Sequence, residues 1–467
     1  MVLLLLLAPG LSGASAHHAT SGSTRGPDPY WPLDGNGGTD ARHYDVRVAY
    51  DFDDKVLSGR TTVRLKATAD LASFSLDLLL PVRAVSVDGR PARFSRPNRH
   101  EVRIVPDRTI PEGELFNVVV RYRGRPAPIS YVGERSWLAD RHEVVTMNQP
   151  HMAPWWFPSN DHPSDKARFD IRVNVPRSKD VVSNGVRVSK RVGTHRQTTH
   201  WRMSDPMTTY LAFFAAGDFA VETGRSPAGH RYYNAVSKRL AAGERSRATR
   251  MLRRTAGVTD WLQRQFGAYP FESTGGVVTA LPVGFALENQ TRPTYGAWIY
   301  PSVIVHEVAH QWFGDSVSVE RWRDIWINEG FATYAEVLYA SRHGGPSVST
   351  WLRRVYAAEC RSPDAPFWRV DLSDPGPSRI FHTAVYDRGA MVLAALRNRI
   401  GPEPMLRLLR TWARDHHDGN ARVADFEALA EAESGEDLGD FFDAWLRSGA
   451  PPAATRDNGL DRACARG

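Results

Sequence analysis

The chain has 467 residues, too many for one ordinary core, and a soft prior from length alone is about three domains. Its apolar and aromatic content is that of a globular protein, with no low-complexity tract or long charge block, which excludes a disordered or fibrous chain. The net charge is +7, yet the basic residues are nearly all arginine and are scattered among Asp and Glu, with no basic stripe interleaved with aromatics, so no nucleic-acid partner is expected.

Met1 to Ala8 is an apolar run followed by Pro9-Gly10 and Ala14-Ser15-Ala16, which reads as a signal peptide over residues 1–16 cleaved before His17, although it has no basic n-region. That run is too short to span a bilayer and no later segment qualifies, so a secreted or extracytoplasmic chain without a membrane span is expected. Residues 17–34, rich in Gly, Ser and Pro, read as a flexible lead-in. From Tyr44 the period becomes two: Tyr44 to Tyr50, Thr62 to Lys66, Val102 to Val105, Asn117 to Tyr122, Ile171 to Val175 and Ser183 to Val188 predict strands separated by turns such as Asp88-Gly89. This predicts an antiparallel β domain over residues 35–222.

Around residue 240 the period shifts to that of helices. Ser246 to Phe266 reads as one amphipathic helix capped by Ser246 and closed by Gly267 and Pro270. A strand follows at Gly276 to Leu281, then a helix over Ser302 to Phe313 stopped by Gly314, and a second over Trp326 to Ser341. Further helices are predicted to about Leu446, giving a mainly helical domain over residues 223–450 and an irregular tail over 451–467. The fold class is therefore α+β, with two domains. The two cysteines, Cys360 and Cys464, read equally well as free thiols or as one disulfide pinning the tail.

The first of those two helices carries His306-Glu307-Val308-Ala309-His310. Histidines four apart lie one above the other on one helix face, so their imidazoles can share one Zn²⁺, while Glu307 between them can take a proton from water. A catalytic zinc wants a third protein ligand and an open position, and Glu329 in Asn328-Glu329-Gly330 on the next helix is the best candidate. A metzincin pattern would need Gly at 313 and His at 316, where Phe313 and Ser316 stand.

These segments, Val305 to Gly314 and Trp326 to Ala332, resemble the zinc signature of the aminopeptidase N family, a group of gluzincins that includes leukotriene hydrolase. Phe157 to Asp161, Met207 to Leu211, Phe266 to Phe271 and Phe441 to Trp445 extend the resemblance over residues 40 to 450. The resemblance implies a thermolysin-like catalytic domain behind the β domain. It implies one zinc per chain held by His306, His310 and Glu329, with Glu307 as general base. It also implies that Tyr386, in Tyr386-Asp387-Arg388-Gly389, stabilises the oxyanion, and that Glu288 and Asn289 recognise the α-amine of a peptide with a free N-terminus. Gln149 would help line the substrate site. Where the family has G-x-M-E-N, this chain has Phe285-Ala286-Leu287-Glu288-Asn289, a bulkier opening to the motif.

The resemblance thus implies a zinc aminopeptidase. Three other readings stand beside it: a zinc endopeptidase with an open cleft, since many family members continue into domains that roof the site; a bifunctional leukotriene-hydrolase-like enzyme, for whose lipid specificity the sequence gives no positive sign; and a non-catalytic scaffold. The scaffold reading would have predicted loss of the ligands or of Glu307, all of which are present.

Overall fold

The computed structural model describes residues 20–461. The signal-peptide reading and Cys464 lie outside the described residues. Cys360, at the end of a helix, is disulfide-bonded.

The N-terminal domain is built on an eight-stranded sheet in which Thr39–Asp51 occupies the middle. On one side it pairs with Val56–Ala67, which pairs with Leu115–Gly124 and through it with Val82–Val87. On the other side lie Ala167–Pro176, Arg196–Met207 and Val186–Val192. Alternation sets which face is buried: Tyr44, Val46, Val48 and Tyr50 of the central strand are almost fully inaccessible, as are Phe116, Val118, Val120 and Tyr122 of a neighbour. The sheet is not wholly antiparallel, because Thr39–Asp51 and Ala167–Pro176 run parallel. Alternation gives a strand's face but not its direction, so this join could not be read from the sequence. A smaller sheet places Leu71–Asp77 between Thr20–Ser21 and Glu101–Val105.

The second domain opens with a four-stranded sheet of Phe219–Arg225, Arg231–Ser237, Ser273–Val278 and Thr294–Tyr295. The expected boundary at residue 222 falls inside the first of these strands. Helices follow: α1 (Ala242–Leu252), α2 (Thr255–Phe266), α3 (Pro301–Ala309), α4 (Trp326–Arg342), α5 (Val348–Glu359), α6 (Pro366–Arg369), α7 (Thr383–Ile400), α8 (Pro402–Asp415) and α9 (Val423–Ser434). The single helix expected over Ser246 to Phe266 is two, and it begins earlier, at Ala242. At Arg253-Arg254 the backbone tightens, with the Arg254 amide bonding back to Met251 instead of Arg250, and Leu252 and Thr255 on either side of the break are both buried.

Three features position the site. Pro301 starts α3 at the first helical position, where its missing N–H costs nothing. Gly314, at φ +136°, ends the turn after α3, and a Cβ there would sit 3.1 Å from Nδ1 of His310. Helices α4 and α7 cross at two glycines: a methyl on Gly330 would lie 2.8 Å from the Cα of Gly389. That contact brings the residue before Gly330 and the turn before Gly389 side by side. Behind α4 the aromatic cluster of Trp326, Phe331, Trp412 and Phe426 holds the helix in place, with Phe331 and Phe426 ring centroids 4.9 Å apart.

The stretch expected as a flexible lead-in is packed from Thr20 onward. Asp28 accepts a hydrogen bond from the Trp322 amide at 2.8 Å, Tyr30 donates to Asp374, and Trp31 lies edge-on to both His151 and Trp322. Two large aromatics and a capping carboxylate outweigh the Gly, Ser and Pro of the surrounding segment. Among the described residues, no helix is long and apolar enough to cross a membrane.

Candidate metal centre

On α3, His306 and His310 face the same side with ring centroids 4.7 Å apart. Their Nε2 atoms converge on one oxygen of Glu329 from α4, at 3.2 and 3.3 Å. The opposite ring nitrogens are occupied: Nδ1 of His306 lies 2.9 Å from Glu336, and Nδ1 of His310 donates to the Phe313 carbonyl at 3.0 Å. These partners fix the tautomer and leave Nε2 as the ligating atom of each ring. A tetrahedral zinc at about 2.0–2.2 Å from each donor needs neighbouring donors roughly 3.3–3.5 Å apart, so this set fits a zinc ion with little movement.

The electrostatics agree. Burial disfavours charge on Glu329, but His310 and His306 outweigh it and hold its carboxyl at about 2. Burial likewise opposes the charge on His306, yet Glu329 and Glu336 carry its pKa well above the ordinary histidine range. Without a metal the site balances its carboxylates with imidazole protons, and a divalent cation would take their place. Burial pushes the carboxyl of Glu307 up to about 8, even though the two histidines pull it down. Its Oε2 has no hydrogen-bond partner among the described residues.

The group opens into a cavity of about 550 Å³. Glu288 lies in its wall, buried, and accepts from the Tyr210 hydroxyl at 3.0 Å and from the Gln149 amide at 3.2 Å. Tyr386, from α7, lines the cavity with its ring roughly parallel to that of His306, centroids 6.1 Å apart. Burial and then the carboxylates of Glu329, Glu288 and Glu307 push the phenol well above its ordinary pKa, so it remains a hydrogen-bond donor at neutral pH. Phe285 stands at the cavity wall, 41% exposed, with Tyr300 and Phe381 also exposed there.

The structure thus brings together seven of the eight residues singled out from the sequence: His306, Glu307, His310, Glu329, Glu288, Gln149 and Tyr386. Asn289 is placed differently. It is fully buried, is not among the lining residues, and donates to the Leu211 carbonyl at 3.0 Å, which ties the Glu288 segment to the N-terminal domain. Successive residues of an extended segment point to opposite sides, so Glu288 and Asn289 cannot both face the cavity.

Three residues escaped the sequence reading. Glu336 lies seven positions after Glu329, two turns along the same face of α4, a spacing that could have found it. Tyr210 sits in a stretch noted only for its family resemblance. Gln311, just past the second histidine, accepts from the Thr291 amide at 2.6 Å and donates to the Glu288 carbonyl at 3.1 Å, bracing the Glu288 segment against α3.

The chain matches the Peptidase M1 N-terminal domain over residues 40–211 and the Peptidase family M1 domain over residues 264–445. It is 25% identical over 448 residues to the tricorn protease-interacting factor F2 of Thermoplasma acidophilum, covering 88% of this chain and 54% of that protein. To aminopeptidase M1-B of Oryza sativa it is 26% identical, covering 88% and 50%. The chain therefore spans about half the length of the curated relatives it matches. Among solved structures, the M1 zinc metallopeptidase of Deinococcus radiodurans superposes with a TM-score of 0.80 at 26% identity, covering 91% of this chain and 98% of that one. A variant of that enzyme bound to the peptide Tyr-Ser-Ala superposes equally well, at 27% identity over 90% of this chain and 96% of that one.

Proposed function

The chain belongs to peptidase family M1, and from that premise we propose that it is a zinc-dependent aminopeptidase that releases N-terminal residues from peptides. The observation that carries the reading is the buried carboxylate of Glu288 inside the same cavity as the His306, His310 and Glu329 set.

Zinc, when held by those three residues, supplies a water of pKa about 7 and a polarised carbonyl. The chain supplies the rest. Glu307 takes the proton from the attacking water and hands it to the leaving amine; its raised pKa and unpartnered oxygen suit both halves of that task. Tyr386 donates a hydrogen bond to the substrate oxygen as negative charge develops on it. Glu288 accepts from the substrate's terminal ammonium, and because Tyr210 and Gln149 fix its position, the ammonium fixes the cut one residue from the end. Glu336 and the Phe313 carbonyl keep the two imidazoles oriented throughout.

A panel of aminoacyl fluorogenic amides, assayed before chelation, after chelation and after zinc readdition, tests this directly. Hydrolysis that is lost to the chelator and restored by zinc is expected. Unchanged turnover by the chelated protein would refute the metal dependence, and no turnover of any amide by the zinc-loaded protein would refute the aminopeptidase assignment.

A further inference from the structure

The N-terminal domain contains a second cluster of ligand-type side chains, away from the cavity. Asp77 ends the strand Leu71–Asp77 and stands directly opposite Glu101, the first residue of Glu101–Val105, in an antiparallel pair. Both carboxylates are fully buried. Like charges placed opposite one another across a ladder repel, and in a buried setting solvent ions screen them little. His100, also buried, puts Nδ1 3.6 Å from Asp77 Oδ1 and 3.6 Å from Glu101 Oε1.

Hydrogen bonding does not account for the arrangement. Asp77 is held by the Gly35 amide at 3.0 Å, the Asp161 amide at 2.7 Å and the Asn36 side chain at 2.8 Å. Neither oxygen of Glu101 and neither nitrogen of His100 has a hydrogen-bond partner among the described residues. His100 is oriented instead by stacking on Tyr131, centroids 4.3 Å apart and planes within 4°. Burial, and after it the charges of Glu101, Asp161 and Asp34, drive the carboxyl of Asp77 well above the usual range. Asp34 adds a third carboxylate, its Oδ1 3.8 Å from Nε2 of His100, so a single imidazole faces three buried acids, none of them within hydrogen-bond distance of it, and the ligating atoms of Asp77, His100 and Glu101 lie within 4.8 Å of one another.

We propose that Asp77, His100 and Glu101 form a second, structural metal site for a divalent first-row transition ion. An imidazole with two carboxylates suits zinc or manganese, whereas calcium and magnesium take oxygen donors. The ion would lock the end of the smaller sheet's two inner strands to the segment around Asp34 and Asn36. Asp34 in turn pairs with His151 at 2.6 Å, two residues beyond Gln149.

The test counts metal per chain and stands apart from the proposed peptidase activity. The full chain is stripped with chelator, reloaded with zinc or with manganese, desalted and measured by elemental mass spectrometry. The wild-type protein should retain two equivalents of at least one of the two metals. The double variant His306→Ala, Glu329→Ala, which leaves the N-terminal domain untouched, should retain one. Adding Glu101→Gln to that double variant should remove the last equivalent and abolish the metal-dependent rise in Tm that the double variant shows. Full loss of both zinc and manganese from the double variant would overturn the proposal, even if Glu101→Gln itself failed to fold. Retention of one equivalent by the folded triple variant would overturn it as well.

Discussion

The two halves of the cavity are held in different ways. The metal half comes from α3, α4 and α7 of one domain, and its two histidines are one helical turn apart. The half proposed to hold the amine is a single carboxylate, Glu288, fixed by Gln149 from 139 residues away and by Tyr210 from 78 residues away, both in the other domain. The metal half therefore depends on helix packing, and the amine half depends on how the two domains sit together. That seating has its own ties. Lys166 of the N-terminal domain donates to the carbonyls of Asp315 and Ser316, just past α3, at 2.8 and 2.7 Å, and Asn184 donates to the Gln290 carbonyl at 2.9 Å. Damage to the first half should abolish chemistry, whereas damage to the second should weaken recognition of the N-terminus.

The sharpest way to break the comparison is Glu307→Gln. It should leave zinc stoichiometry unchanged and lower kcat by about 10²–10⁴, the usual worth of a positioned acid–base group. A variant with unchanged kcat would remove Glu307 from the mechanism. Tyr386→Phe comes next, with a loss of roughly 10²–10³ in kcat and little change in KM, as for a donor that acts on developing charge. Gly330→Ala tests whether helix packing sets the metal half: the added methyl meets Gly389 at 2.8 Å, and overpacking of this kind costs about 1–3 kcal/mol of stability and should loosen zinc. Normal Tm and zinc affinity in that variant would show that the crossing tolerates separation. Tyr210→Phe should have the smallest effect: KM for free-amine substrates should rise by about tenfold, the lower end of the worth of one hydrogen bond to a charged group because Gln149 still holds Glu288, with kcat nearly intact. A fall in kcat with unchanged KM would instead move Tyr210 into the chemical step.

Acid provides a further separation. His306 has its pKa raised well above the ordinary histidine range, so below that value protons compete with zinc for the imidazole. Zinc affinity should rise with pH through the neutral range and fall as the medium is acidified. In the zinc-loaded protein, activity should fail on the acid side as Glu307 becomes protonated. Titrating zinc affinity and kcat/KM separately against pH distinguishes the two losses.

The contrast between the halves also explains what could be read in the sequence. Two histidines at helical spacing, an acid between them and a second acid on the next helix are local signals, so the metal half was legible in the residues themselves. Glu288 carried no such signal and was found through resemblance alone, because its partners lie in another domain. The burial of Asn289 against Leu211 was hidden for the same reason: which of two adjacent polar residues faces a cavity depends on backbone direction, which a motif does not carry. The packed segment around Asp28, Tyr30 and Trp31 was missed because its composition is that of a loop, while its anchoring contacts, such as Asp28 to Trp322, lie nearly 300 residues apart. Long-range pairing of this kind leaves no periodicity to detect.

The central claim is that a carboxylate held across the domain interface makes this zinc site an exopeptidase. It is tested most directly by comparing kcat/KM for one peptide with its N-terminus free and N-acetylated. Acetylation removes the ammonium that Glu288 would pair with, so a loss of at least tenfold is predicted for the wild-type protein. The loss should shrink in Glu288→Gln. Equal kcat/KM for the two peptides would contradict the account and mark the site as an endopeptidase.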